Sequence, residues 1–163
     1  MELRHRLDPK FIFIGLYVLI VVAYIIIGLK PADAANYTIS GYLDIPEINL
    51  TTNVAKLSLT SGKLESPDEI AGSYSTSPRK TLIIGHSTTV FDDLHRVKLN
   101  SHIFYNNQDY RIVTIETKPK SDIRMSEVLA QAEKETIVLM TCAGQLYGNG
   151  DATHRLLITA VRD

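Results

Sequence analysis

The sequence predicts a mainly β protein: a closed, antiparallel-rich β-barrel with one or two short helices, preceded by one transmembrane helix. Beyond residue 38, apolar residues alternate with polar ones or form short runs between turn signals, which is typical of strands. Only one stretch there has the three-to-four spacing of an amphipathic helix. Near the start, nineteen consecutive residues carry no charge, a length that suits a membrane-spanning helix.

The uncharged stretch covers residues 11–29. As a helix it would be about 28 Å long, close to the roughly 30 Å of a bilayer's hydrocarbon core. Basic residues precede it within residues 1–10, so the positive-inside bias places the amino terminus in the cytoplasm. A cleavable signal peptide is the alternative, since residues 32–34 resemble a cleavage site, but its apolar core would usually span about 7–15 residues. We predict an uncleaved anchor, a tether over residues 30–38 and a folded domain over residues 39–163.

Composition excludes several functions. The chain has 163 residues and a formal net charge of −1, with no basic run interleaved with aromatic residues, so nothing predicts binding to nucleic acid. Cys142 is the only cysteine, which excludes an internal disulfide and a multi-cysteine metal site. The histidines lack the spacing of a zinc site, and we predict no metal and no cofactor. Glu65, Asp68 and Glu69 can supply oxygen ligands for calcium, but a solvated acidic loop is the favoured interpretation.

The first strands of the barrel follow the tether. Residues 41–46 predict an extended segment that ends at Pro46, because proline has no amide to donate to a sheet. Residues 81–85, Thr-Leu-Ile-Ile-Gly, predict a buried strand that delivers His86 at its end. Residues 91–94 predict a short turn or helical piece.

A hairpin and a helix come next. Residues 103–105 and 110–116 flank the turn-forming residues 106–109, a pattern that predicts a β-hairpin. Ser121 can cap a helix over residues 122–133. Its apolar stripe consists of Ile123, Val128, Leu129 and Ala132.

The last two strands carry the residues with the clearest chemistry. Residues 136–144 read Thr-Ile-Val-Leu-Met-Thr-Cys-Ala-Gly, which predicts a buried strand with Cys142 at its end. A second strand-like run, residues 156–161, follows Arg155. The intervening loop over residues 144–152 is rich in Gly, Asn and Asp, so the two strands can bring Cys142 and Arg155 side by side. A histidine from elsewhere would complete a thiol-based site.

Each of these residues also has a structural interpretation. A buried cysteine is usually a small hydrophobe, Arg155 can be a surface ion-pair partner, and His86 can lie near a loop without a role. His154 competes with His86. If Leu156 faces the core, alternation places His154 on the core side and Arg155 on the opposite side. Periodicity leaves open which face carries the site.

Residues 138–142, Val-Leu-Met-Thr-Cys, resemble the active-site strand of sortases, in which a Thr-Leu-x-Thr-Cys pattern ends in the nucleophile. The run begins with valine where the family most often has threonine, a shape-conserving change. Sortases also carry a histidine well before the cysteine and an essential arginine shortly after it, and His86 and Arg155 occupy the matching places. Residues 43–48 resemble the opening strand of sortase domains. The resemblance spans roughly residues 40–161.

The resemblance implies an eight-stranded barrel and a cysteine transpeptidase. Cys142 would be the nucleophile and His86 the general acid and base. Arg155 would stabilise the oxyanion or hold substrate carbonyls, and Thr141 would bind substrate beside the nucleophile.

The resemblance also implies the partners and the location. The substrates would be surface proteins with a carboxy-terminal sorting signal of the Leu-Pro-x-Thr-Gly kind. The acceptor would be an amine at the cell envelope, on a cell-wall precursor or a pilin-type lysine. The chain would lie in the plasma membrane of a bacterium, with its catalytic domain outside. Two alternatives stay open: a hydrolytic thiol peptidase with the same residues, and a non-catalytic anchored barrel that only binds a partner.

Overall fold

The computed structural model describes residues 37–60, 62–148 and 151–162. The predicted basic tail and membrane anchor lie outside these residues. Within them, no helix has both the length and the apolar character needed to cross a membrane. The described strands are β1 Ile39–Ile45, β2 Leu50–Lys56, β3 Ala71–Ser77, β4 Lys80–Ile84, β5 His102–Tyr105, β6 Gln108–Pro119, β7 Thr136–Leu146 and β8 Ala152–Arg162.

The eight strands form a closed barrel in the order β1-β2-β3-β4-β7-β8-β6-β5, and β5 pairs back with β1. The pairs β2–β3 and β4–β7 are parallel, and the other pairs are antiparallel. Parallel neighbours need a crossover connection, so long segments join β2 to β3 and β4 to β7. The predicted mainly β closed barrel with eight strands is confirmed.

The predicted hairpin is confirmed between β5 and β6. Its turn residues Asn106 and Asn107 have φ values of 52° and 62°. Asparagine tolerates this left-handed region better than most residues, and two such residues in a two-residue turn match the twist of the flanking strands. Strand β6 is longer than predicted and continues to Pro119.

The predicted capped helix over residues 122–133 is wrong. The chain instead forms a 3-10 turn at Lys120–Asp122 and one turn of α-helix, α1, at Met125–Val128. The Ser121 hydroxyl donates to Asp122 Oδ1 at 2.9 Å and does not cap a helix. A helix of about twelve residues is marginal in water without packing. Here the apolar stripe packs on the barrel through separate side chains, Ile123, Val128 and Leu129.

Side chains alternate between two apolar clusters. The interior cluster fills the barrel, and Ile137, Leu139 and Ile158 belong to it. The outer cluster lies on the outside of β4, β7 and β8, where Val138 and Leu157 belong to it. This alternation is the period of two expected of strands. It determines whether each side chain near the carboxyl end of β7 lies inside or outside the barrel.

Candidate active site

Strands β7 and β8 place Cys142 and Arg155 directly opposite each other in the antiparallel register. Directly opposed side chains on one face have Cβ atoms about 4.5–5.5 Å apart. The neighbouring partners Met140 and Leu157 pack in the outer cluster, so alternation puts Cys142 and Arg155 on the outer face too. The prediction that the two residues lie side by side is confirmed, and the question left open by periodicity is answered: their face is the outer one.

Strand β4 brings His86 to the same end of the sheet. It runs parallel to β7, with Ile84 opposite Met140, so the carboxyl ends of both strands meet at one edge. The Gly85 amide extends the pairing by donating to Met140 O at 3.3 Å. Gly85 also needs its small size, because a Cβ there would come within 2.7 Å of the Val90 side chain. The strand therefore ends in a tight turn that releases His86 beside the end of β7.

His86, Cys142 and Arg155 line one cleft with a volume of about 630 Å³. Cys142 is half-buried and its thiol is free. Apolar side chains from β4, β7 and the β2–β3 connection form part of the wall. They are Leu64, Ile84 and Met140. The cleft therefore combines a reachable thiol, an imidazole and a guanidinium with apolar surface.

The imidazole of His86 is oriented by the β2–β3 connection. Its Nε2 lies 3.2 Å from the Ser66 carbonyl oxygen and 3.5 Å from Asp68 Oδ1. A carbonyl oxygen only accepts hydrogen bonds, so the Ser66 contact requires a proton on Nε2 and leaves the Nδ1 of a neutral imidazole as an acceptor. The connection is pinned in turn, because Ser66 Oγ donates to Ile84 O at 3.2 Å and Thr89 Oγ1 donates to Asp68 O.

The guanidinium of Arg155 is held at the start of β8. Its Nη1 donates to the carbonyl oxygens of Ala152 and His154 at 3.1 and 2.9 Å. Its Nη2 donates to Asp151 Oδ1 at 2.6 Å, and the Arg155 side chain is only 16% exposed. These bonds use three of the five N–H donors of an arginine.

Asp151 joins two cations. Lys120 contacts its Oδ2 and Arg155 its Oδ1. The Lys120 hydrogen bond, then the Arg155 hydrogen bond and the Ala152 amide hold the pKa of the Asp151 carboxyl well below its usual range. The side chain is therefore a carboxylate across the pH range in which proteins function.

His154 lies on the interior face with Leu156, and it is not among the residues that line the cleft. Its Nδ1 is 2.8 Å from Thr153 Oγ1. Gly144 makes room for this arrangement, because its φ is +75° and a Cβ there would lie 2.7 Å from His154 Nδ1. The register shift of β7 falls next to Gly144, so β7 bulges just after Cys142.

Thr141, predicted to bind substrate, borders the cleft. It is 4% exposed, and its hydroxyl donates to Gly85 O at 2.8 Å. This bond ties the residue before Cys142 to the residue before His86. Its contact with substrate stays a prediction.

Replacing Thr141 by valine should lower the free energy of unfolding by about 1–3 kcal/mol, because the Gly85 carbonyl would lose a buried donor. Thr141→Ser keeps the hydroxyl and loses one methyl, worth about 0.8 kcal/mol. Urea unfolding of both variants measures the difference. Equal stability of the valine and wild-type proteins would show that the bond contributes nothing.

In the described part of the chain, no group of three or more His, Cys, Asp or Glu side chains could hold a metal ion. Glu65 and Asp68 border the cleft, and Asp68 faces His86 at 3.5 Å. From the sequence, Asp68 is a candidate only for calcium binding, and no sequence pattern indicates Ser66 or Asp151. A carbonyl contact leaves no signal in side-chain chemistry, and an acid four residues before an arginine is common by chance.

A sequence model described as the sortase domain matches residues 43–163. A solved lid mutant of sortase A from Corynebacterium diphtheriae is 25% identical, with a TM-score of 0.60 over 81% of this chain and 74% of that one. Sortase A of Listeria monocytogenes is 16% identical, with a TM-score of 0.59 over 77% and 87% of the two chains. Pilus island 1 sortase C2 of group B Streptococcus is 21% identical, with a TM-score of 0.59 over 77% and 74%. A comparison with curated proteins finds no match. Because the domain match covers well over half of the sequence, the chain belongs to the sortase family.

Proposed function

We propose that this chain is a cysteine transpeptidase that cleaves a sorting signal of surface proteins and transfers the acyl group to an amine. Sortases are in general transpeptidases that act on surface proteins. The observation that carries the proposal is the convergence of Cys142, His86 and Arg155 on one cleft. A half-buried free thiol next to an imidazole and a guanidinium suits acyl transfer through a thioester.

The reaction takes two steps. In the first, the Cys142 thiolate attacks the scissile carbonyl carbon. The resulting oxyanion accepts hydrogen bonds from the two N–H groups of Arg155 that are not used in its bonds to Ala152, His154 and Asp151. As the C–N bond breaks, His86 protonates the leaving amine and a thioester remains. In the second, His86 takes a proton from the incoming amine, whose nitrogen attacks the thioester and releases Cys142.

The proton moves through Nδ1 of His86 in this scheme. The Nε2–H stays on the Ser66 carbonyl oxygen, so ring orientation is kept while the other nitrogen changes its protonation. In a catalytic imidazole, the hydrogen bond at one ring nitrogen sets the orientation and the other ring nitrogen exchanges the proton. Thr141 contributes to substrate binding beside the nucleophile.

The substrate we propose is an extended peptide of the Leu-Pro-x-Thr-Gly kind, attacked at the carbonyl after the threonine. Apolar wall residues Leu64, Ile84 and Met140 suit its apolar side chain. The acceptor is an amine on a cell-wall precursor or a pilin-type lysine. With residues 11–29 as an anchor in the bacterial plasma membrane, enzyme and substrate share one membrane face, which raises their effective concentration.

The test is an incubation of the full chain, in detergent, with a peptide library and an amine acceptor, analysed by mass spectrometry. We expect cleavage at one bond and an amide product that requires the amine. Equal turnover with and without the amine would indicate a hydrolytic thiol peptidase instead. Turnover of no peptide, with Cys142 still open to alkylation, would favour a barrel that only binds a partner.

Arg155→Ala should lower the rate by about 10²–10³-fold, the effect of removing an oxyanion-hole donor. Arg155→Lys should restore little, since an ammonium lacks the planar fork that grips two oxygens. Steady-state kinetics of both variants measure this. A rate for Arg155→Ala within about threefold of wild type, about 0.7 kcal/mol of barrier, would exclude the role, and recovery in Arg155→Lys would reduce it to a charge effect.

A further inference from the structure

The guanidinium of Arg155 is held in place by hydrogen bonds to neighbouring groups. An arginine side chain has about 2 kcal/mol of rotamer entropy to lose when it is fixed. All three of its described hydrogen bonds go to the start of β8: two to backbone carbonyls and one to the Asp151 carboxylate. Only the Asp151 bond joins two charges, and charge-assisted bonds are about twice as strong as neutral ones.

Asp151 is itself anchored on several sides. The Ala152 amide donates to its Oδ1 at 2.9 Å, and the Tyr147 amide donates to its backbone oxygen at 2.7 Å. Lys120, directly after β6, contacts the second carboxylate oxygen. The carboxylate therefore lies between a cation from the end of β6 and the guanidinium on β8, and it borders the same cleft as Cys142.

We propose that Asp151 is a positioning residue for Arg155, which holds the guanidinium beside Cys142, and that Lys120 steadies Asp151. The proposal rests on the proposed function. One carboxylate oxygen and two carbonyls fix three N–H groups and leave two to meet an oxyanion. Because Asp151 contacts Arg155 and Lys120, the proposal gives it a role through Arg155 and no step of its own in the reaction.

The first measurement is a double-mutant cycle on the full chain with the library-selected peptide. Asp151→Asn keeps the size of the side chain and removes its charge. It should lower kcat by up to about 100-fold, the cost of misplacing a reacting group by about 1 Å, with a smaller change in KM. In an Arg155→Ala background the same substitution should change kcat by less than about threefold, since residues that act as a unit are not additive.

The matched control is Glu135→Gln. Glu135 accepts from Arg162 Nη1 at 2.6 Å near the other end of β8, so it tests loss of an equivalent ion pair away from the cleft. We expect unchanged kcat. Lys120→Met should give a smaller loss than Asp151→Asn and no further loss when combined with it. Equal effects of Asp151→Asn in the wild-type and Arg155→Ala backgrounds would overturn the proposal. A higher kcat in Asp151→Asn would also overturn it, because it would show that Asp151 holds Arg155 away from the substrate.

A second measurement needs no substrate, so it separates this proposal from the proposed function. Anionic iodoacetate and neutral iodoacetamide both alkylate Cys142, and a nearby cation raises the rate ratio in favour of the anion. Asp151→Asn should lower this ratio if the guanidinium moves away. In the Arg155→Ala background it should raise the ratio, because only a negative charge is lost. A rise of equal size in both backgrounds would overturn the positioning role even if no peptide is ever turned over.

Discussion

Replacing Cys142 by alanine is expected to abolish acyl-enzyme formation and leave the barrel folded. Cys142 is the only cysteine of the chain, so no other thiol can take over its chemistry. Its side chain is half-buried on the outer face and outside the interior cluster, so the change should alter stability little. Intact-mass spectrometry after incubation with the selected peptide measures the thioester directly.

The wild-type protein should gain the mass of the acyl fragment, and hydroxylamine should remove it, since a thioester is labile to that nucleophile. Circular dichroism of Cys142→Ala checks that the fold is kept. A covalent acyl adduct in the alanine variant would refute the assignment of the nucleophile.

His86→Ala is expected to lower turnover by about 10²–10⁴-fold, the usual contribution of a general acid and base. The leaving amine would then depart unprotonated and the incoming amine would keep its proton. Alkylation of Cys142 by iodoacetamide should persist in this variant, because it needs a thiolate but no proton donor. Turnover and alkylation rates, measured on one preparation, separate loss of proton transfer from loss of the thiol.

His154→Ala is the matched control for that experiment. Its imidazole lies on the interior face and does not border the cleft, so turnover should stay within about threefold, less than about 0.7 kcal/mol of barrier. Full turnover in His86→Ala together with a large loss in His154→Ala would show that the roles of the two histidines are reversed.

Much of the barrel could be predicted because strand signals are local. The run that ends at Cys142 and the asparagine turn at Asn106 and Asn107 carry their structure in a few adjacent residues. The helix over residues 122–133 was wrong for the opposite reason. Val128, Leu129 and Ala132 have helical spacing, but Ile123 lies five residues before Val128. Ile123, Val128 and Leu129 instead pack on the outside of the barrel, a tertiary contact that periodicity does not show.

The sequence pointed to the three candidate reactive side chains but not to the residues that hold them in place. Cys142 is the only thiol of the chain, but there are five histidines and eight arginines. Strand-end positions and the sortase resemblance were needed to select His86 and Arg155 among them. The His86 imidazole contacts the Ser66 carbonyl oxygen, the Arg155 guanidinium contacts Asp151, and Lys120 contacts Asp151 in turn. The contacts Ser66–His86 and Lys120–Asp151 join residues 20 and 31 positions apart, so no spacing rule identifies them. Asp151 and Arg155 are only four residues apart, but that spacing alone is too common to indicate a role. The pairing of β4 with β7, which are separated in sequence by the β5–β6 hairpin, is also not indicated by any sequence spacing.

That parallel pairing of β4 with β7 has a consequence for folding kinetics. The hydrogen bond between Thr141 and Gly85 spans 56 positions of sequence, and contacts of such separation form late because their loop-closure entropy must be overcome first. The hairpins β5–β6 and β7–β8 need much shorter loops. The β7–β8 hairpin can therefore align Cys142 with Arg155 early, while His86 joins them only when the crossover closes. The complete trio would therefore arise later in folding than the pair of Cys142 and Arg155.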